Sequence, residues 1–194
     1  MIAAISLMRR QDTSTLTQFR RHWLDVHGPL VCAFPGLRRY VQCHVIDSVA
    51  ANEDGLNMRI DGFPILFFDN DADRQRAHVS AEMAACNIDS RQFMGAVTRV
   101  IADVDGDLRS NAGRFSLIEI WPEGITLPPR PVIYRVREQG AAPNSVIPHL
   151  PIAVGAVAQT WFDSLVDLEC AAAWSPAARF AVEEHWLPPR SGQP

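Results

Sequence analysis

Apolar and polar positions follow two periods along this chain, and the order of those periods predicts its elements. Residues 2–8 are short and apolar enough for a buried strand. Thr13-Ser14-Thr15 then supplies a helix cap, and Leu16, Phe19, Trp23, Val26 and Leu30 recur at helical spacing. That predicts a helix from Leu16 to Val26 with this face in the core, ended by Pro29 and the turn at Pro35-Gly36. Tyr40 to Ile46 alternates as a strand, and Ile65-Leu66-Phe67-Phe68 is a second, more apolar one. The polar residues 48–62 between them, with Asn52-Glu53-Asp54-Gly55 and Asp61-Gly62, read as a long hairpin loop. Asp69, Asn70 or Asp71 caps a helix reaching Ala85, and Ala96 to Val104 is strand-like before Asp105-Gly106-Asp107. The order β-α-β-β-α-β is the split βαβ, or ferredoxin-like, unit of the α+β class.

A weaker echo follows. Phe68-Asp69-Asn70-Asp71-Ala72-Asp73 returns as Phe162-Asp163-Ser164-Leu165-Val166-Asp167, each time after an apolar stretch. Residues 115–121, 132–137 and 152–162 are strand candidates and 165–174 a helix candidate, with no counterpart of the first helix. Eleven of the 14 prolines lie beyond residue 121, and Pro128-Pro129-Arg130-Pro131 reads as an extended connection. The expectation is a unit over 1–108, a truncated and diverged α+β repeat over 114–187, and a tail over 188–194. His185 is read with the frayed end of the chain. Helix caps of aspartate and serine after strands are common, so coincidence is the competing explanation of the echo.

Composition narrows the chemistry. In 194 residues, 47% are apolar, 21% charged, and the net charge is −4. A chain of this size can bury a core without staples, and it lacks the basic excess of a nucleic-acid binder. All 18 basic residues are arginine, which removes every mechanism that needs a lysine nucleophile, Schiff base or phosphate-loop lysine. Cys32, Cys43, Cys86 and Cys170 are scattered without C-x-x-C pairs, as expected of free thiols in a reducing compartment. The apolar N-terminal run is too short for a signal peptide and no stretch is long enough to span a membrane, so the expectation is a cytoplasmic protein. G-x-G-x-x-G, G-x-S-x-G and H-E-x-x-H motifs are absent, and neither the histidines nor the cysteines have metal-ligand spacing. Neither cofactor nor metal is expected.

Phe19, Trp23 and His27 step by four along one helix face. His27 at the helix C-terminus would have a raised pKa and could exchange protons near neutral pH, or could cap the last carbonyls. His22, five residues earlier, cannot face one metal together with it from a regular helix. In the strand, Val41, Cys43 and Val45 face one way and suit a surface packed under helices. Tyr40, Gln42, His44 and Ile46 face the other way, a set too polar for an ordinary core. They read as a pocket wall or as hydrogen-bonders in an interface. His78, among Arg74, Arg76 and Glu82, reads as an exposed helix residue, and His149-Leu150-Pro151 as a chance echo of His27-Gly28-Pro29. Asp61 is an acid or base candidate within a turn signal.

Phe19-x-x-x-Trp23-x-x-x-His27-Gly28-Pro29-Leu30, then Pro35-Gly36-Leu37-Arg38-Arg39-Tyr40-Val41-Gln42-Cys43-His44, Asp61-Gly62 and Phe67-Phe68-Asp69-Asn70, resembles the EthD family of dimeric α+β barrel proteins over residues 2–104. The resemblance implies a ferredoxin-like sheet whose face away from the helices lines a barrel. That would make Tyr40, Gln42 and His44 an interior pocket wall. It also implies a homodimer, because one such sheet leaves a face bare. The function it implies is cofactor-free proton transfer (isomerisation, dehydration or decarboxylation) on a small cyclic, aromatic-derived or polyketide-like compound. His27 and His44 would move protons, Tyr40 would hold a substrate oxygen, and Trp23, Gln42, Asp61 and Phe67 would contact the substrate. The alternatives are a non-catalytic small-molecule-binding or accessory protein, and a cofactor-free oxygenase or haem-binding barrel.

Overall fold

The first strand, β1 (Ile2–Arg10), begins a computed structural model that describes residues 1–46, 59–108, 114–141, 147–171 and 177–190. Thr15 starts the first helix, α1 (Leu16–His22), with a capping box. Its hydroxyl accepts from the Gln18 N–H at 3.2 Å, and Gln18 Oε1 accepts from the Thr15 N–H at 2.9 Å. The chain then passes through one π-helical turn, Trp23–His27, into α2 (Gly28–Val31). Helical backbone therefore runs past Pro29, which sits in the first turn of α2 where its missing N–H costs nothing. Strands β2 (Leu37–Val45) and β3 (Gly62–Phe68) follow. Of the expected hairpin loop over 48–62, residues 48–58 lie outside the described residues.

The second helix is two helices. Asn70 caps α3 (Asp71–His78), and Ser80 caps α4 (Ala81–Ser90) by accepting from the Met83 N–H at 3.1 Å. Strand β4 (Met94–Gly106) completes the first unit, in the expected order. Beyond it come β5 (Phe115–Trp121), β6 (Val132–Gly140), β7 (Ala156–Phe162), α5 (Leu165–Ala171) and β8 (Ala178–Leu187). Strand β8 was not legible in the pattern. His185 belongs to it, paired across to Gln42, rather than to a frayed end.

All eight strands are antiparallel and close into one barrel in the order β1-β3-β2-β8-β5-β7-β6-β4. Within it the first half runs β4-β1-β3-β2 and the second β8-β5-β7-β6, the same arrangement shifted by four strands. The halves are sewn together at β2–β8 and β4–β6. The bare sheet face that called for a second copy is thus covered by the same chain, and that reason for a homodimer falls away.

The barrel interior is a packed apolar core in which Ile5, Val41, Cys43, Ile65, Phe67 and Phe180 meet. This reverses the expected assignment of the two faces of β2. Val41, Cys43 and Val45 point into the barrel, while Tyr40, Gln42 and His44 point outward beneath the first helix. The alternation was legible, but its direction was not, because a small closed barrel fills its lumen with side chains. Any ligand-sized space must lie outside the barrel, between sheet and helices.

Candidate functional site

A cleft of about 580 Å³ lies where α2, α3 and α4 cross the outer face of β1, β3 and β4, with the end of β6 at its rim. Its walls are mainly apolar, with Phe34, Leu66, Phe68, Met83 and Ile101 among them, and its polar groups include His27, Tyr40, His78, Cys86 and Arg99. The size suits a small ring-bearing molecule.

His27 owes its setting to the π turn. The Gly28 N–H donates to the Trp23 carbonyl, an i→i+5 bond that widens the helix and brings residues five apart to the same side. His22 and His27, which a regular helix would separate, therefore both reach Asp89 on α4. His22 Nε2 lies 2.9 Å from Asp89 Oδ1, and His27 Nδ1 lies 2.8 Å from Asp89 Oδ2. Burial pushes the His27 pKa below the ordinary imidazole value, and the Asp89 carboxylate opposes but does not cancel that shift. The direction is opposite to the one expected from a helix C-terminus. Burial alone would raise Asp89, but the bonds from His27 and His22 outweigh it and hold the carboxyl low. The resting pair is a neutral His27 donating from Nδ1 to an ionised Asp89, with Nε2 as the acceptor. Cys86 Sγ lies 3.4 Å from that Nε2. Burial raises this thiol to about 12, so it stays protonated and is a weak donor.

Tyr40 is fixed from behind. Its phenol oxygen accepts from Trp23 Nε1 at 3.1 Å and from Gln42 Nε2 at 3.0 Å, and Gln42 Nε2 also donates to the Trp23 carbonyl at 2.8 Å. Both lone pairs are occupied, and burial raises the phenol's pKa, so Tyr40 is a neutral group with one O–H to donate. Two glycines permit this packing. A Cβ on Gly62 would come within 2.4 Å of the Trp23 ring, and one on Gly28 within 3.0 Å of Gln42 Nε2.

Of the residues singled out from the sequence, His27 and Tyr40 meet at the cleft. Trp23 and Gln42 stand behind Tyr40 as its supports. His44 stacks on Trp23 at 4.4 Å, lies 3.0 Å from Gln42 Oε1, has the His185 ring 4.5 Å away, and does not line the cleft. Burial pushes its pKa down to about 3. Asp61 is buried in ion pairs with Arg10 and Arg59, and Phe67 faces the barrel core while its neighbours Leu66 and Phe68 face the cleft. His78 is a correction of another kind. It is half-buried in the cleft wall, where burial and then Arg99 and Arg74 lower its pKa, and is not an idle surface residue. Asp89, Cys86 and Arg99 were missed. The first two lie beyond the expected helix end at Ala85, although Ser80 is a cap signal and Cys86 and Asp89 share a helix face at i, i+3. Among the described residues no group of three His, Cys, Asp or Glu side chains is arranged to hold a metal ion. Also among them, no helix is long and apolar enough to cross a membrane.

Residues 11–96 match the family model of the EthD domain. The helical turn with His27, the strand with Tyr40, and α4 with Asp89 all fall inside this stretch. Among solved structures, an EthD family protein from Bacillus halodurans C-125 is 23% identical, with 53% of this chain and 97% of that one covered at a TM-score of 0.44. An anthrone oxidase-like protein is 7% identical, with 95% of this chain and 92% of that one covered at a TM-score of 0.62. The second likeness extends beyond the EthD domain to the whole barrel, and is a likeness of fold alone. No curated protein matches the chain.

Proposed function

We propose that the EthD-domain cleft binds a small cyclic, aromatic-derived or polyketide-like compound and catalyses proton transfer on it, as an isomerase or lyase that needs no cofactor. The observation that carries this reading is the His27–Asp89 pair. It is a neutral imidazole, held in one tautomer by a partly buried carboxylate, in the wall of an apolar cleft. His27 Nε2 takes a proton from a carbon beside a carbonyl, and the electron pair of that C–H bond moves into the ring system. The carbonyl oxygen gains charge and is met by the Tyr40 O–H. Returning the proton to a different carbon completes an isomerisation, and departure of a β-hydroxyl that takes the imidazolium proton and leaves as water completes a dehydration. Asp89 stabilises the imidazolium formed in between. Cys86 must yield the Nε2 lone pair, a small cost for a thiol 3.4 Å away.

The second reading is a binding protein that uses the same cleft without chemistry, favoured by the same contact, since Cys86 already occupies the acceptor of His27. His27→Gln separates the two. As an enzyme the protein loses turnover by about 10²–10⁴-fold with its melting curve preserved. As a binding protein it changes affinity by at most hydrogen-bond magnitudes, about 0.5–3 kcal/mol. The wild-type pH profile is a second check. His27 works when neutral and burial lowers its pKa, so turnover holds steady at neutral pH and falls only below the usual imidazole range of about 6.5. A limb centred above that value would rule out His27 as the base.

A further inference from the structure

Strand β4 carries one arginine, Arg99, in the middle of its outer face, between Val97 and Ile101, where helices cover the sheet. A guanidinium there loses hydration, and such a charge ordinarily has an acidic partner. The other arginine that lines the cleft follows that rule. Arg74 is held by Asp71 at 2.7 Å. Arg99 forms no ion pair and no side-chain hydrogen bond among the described residues. Glu138, the acid at the rim, is exposed and not paired with it. Across the sheet its neighbours are Ser6 on β1 and Gly140 on β6, and a Cβ built on Gly140 would meet nothing within 4 Å. Arg99 thus lines the cleft between two small neighbours on the sheet. Its field is felt across the site: besides burial, Arg99 lowers the pKa of both His27 and His78.

Building on the cleft as the ligand site, we propose that Arg99 is its anion-recognition residue, and that the natural ligand is an apolar ring compound bearing a carboxylate or comparable anionic oxygen. The guanidinium fork matches a carboxylate with two parallel hydrogen bonds, and the apolar walls take the ring. Binding of that anion would also neutralise the charge that depresses His27, so the base strengthens only when the correct ligand is in place.

The probes are 2-naphthoate and its neutral isostere 2-naphthamide, measured by calorimetry on the full chain. Wild type is expected to bind the carboxylate about tenfold or more tightly than the amide, as for a charge-assisted pair in a cleft. Arg99→Gln should bring the two within about twofold, Arg99→Lys should keep part of the preference, and Arg74→Gln and His27→Gln should keep it nearly whole. Removing an unpaired charge should also raise the melting temperature of Arg99→Met by a few degrees, whereas loss of a structural ion pair would lower it. Equal affinities in wild type, a preference that survives Arg99→Gln, or a lowered melting temperature in Arg99→Met would each overturn the assignment while leaving the cleft as a binding site. If neither probe binds, the cleft reading and this inference fall together.

Discussion

The two halves of the barrel share one strand order and solve the covering of its outer face differently. In the first half four helices lie over the sheet, and their crossing leaves a cleft with an unpaired arginine on its floor. In the second half there is no helix between β5 and β6 among the described residues, and α5 contributes little beyond Leu168 packed on Ala181. The outer face of β5 is closed instead by charge. Glu119, almost wholly buried, accepts from Arg179 on β8 and from Arg130 of the proline-rich connection. Each half thus places an arginine of its last strand on the outer face, Arg99 or Arg179, and only the second is neutralised. A paired charge closes a surface, whereas an unpaired one beneath helices invites a ligand.

The interiors differ as well. The first half lines the lumen almost entirely with hydrocarbon, whereas the second brings in a polar knot around Glu184, which accepts from Gln159 at 2.6 Å and from Trp161 and Trp186 at 2.9 and 3.0 Å. Burial raises the pKa of that carboxyl despite these donors. The second half ties the carboxylates of Glu119 and Glu184 to donors of its own, and the first directs His27, Tyr40 and Arg99 at a cleft.

The most damaging change should strike the ion-paired half. Glu119→Ala leaves two guanidiniums facing each other without the carboxylate between them. Breaking such a buried pair costs about 3–5 kcal/mol, with the lower end expected because Arg130 keeps some contact with water. Urea unfolding measures this directly. A loss near zero would mean that the charge cluster does not stand in for the missing helix.

The first half was legible for physical reasons the second lacks. A capping signal at Thr15, apolar residues at helical spacing and β-rich segments between turn residues all agree over residues 2–106, so local preference and tertiary packing point the same way. Strand β8 was hidden because Glu183, Glu184 and His185 look like solvent residues. They are tolerated only because β2 and β5 flank them and Glu184 finds its donors inside the barrel. The site was half legible. The positions of His27 and Tyr40 follow from motif and alternation. Asp89 as the shared partner of His22 and His27 depends on a π turn that no periodicity announces, and the direction of the β2 faces depends on barrel closure, which β2 alone does not encode.

At the seam between the halves, His44 gives a test of intermediate size. The folded protein keeps its imidazole neutral, since burial, then His185 and Arg20, push its pKa down to about 3, while in the unfolded chain it titrates near 6.5. Stability is full above that value. Below it only the unfolded state gains the proton, so stability falls steadily as the pH drops toward 3. Roughly 3 to 3.5 kcal/mol should be lost by pH 4 through this group alone. His44→Phe keeps a ring for Trp23 to stack on and removes the titration, so its stability should decline less steeply between pH 6 and 4. Parallel slopes for wild type and variant would show that water reaches the seam, and that the two halves separate locally before they unfold.

The smallest expected difference compares two helix caps of the same design. Thr15 accepts from the Gln18 N–H at the start of α1, and Ser164 accepts from the Asp167 N–H, at 3.1 Å, at the start of α5. Removing such a side chain costs about 1 kcal/mol when the helix is integral to the fold. Helix α1 is integral: its buried Phe19 packs against Trp23 and Phe93, and the chain continues from it into the π turn that carries His27. Thr15→Ala should therefore lower global stability by about 1 kcal/mol. Helix α5 can fray while the barrel stays closed, because both strands beside it are already paired within the ring. Ser164→Ala should cost about 0.5 kcal/mol or less in urea unfolding, yet it should speed amide exchange within α5. Equal losses would mean that α5 is as much a part of the cooperative unit as α1, and that the second half depends on its helix after all.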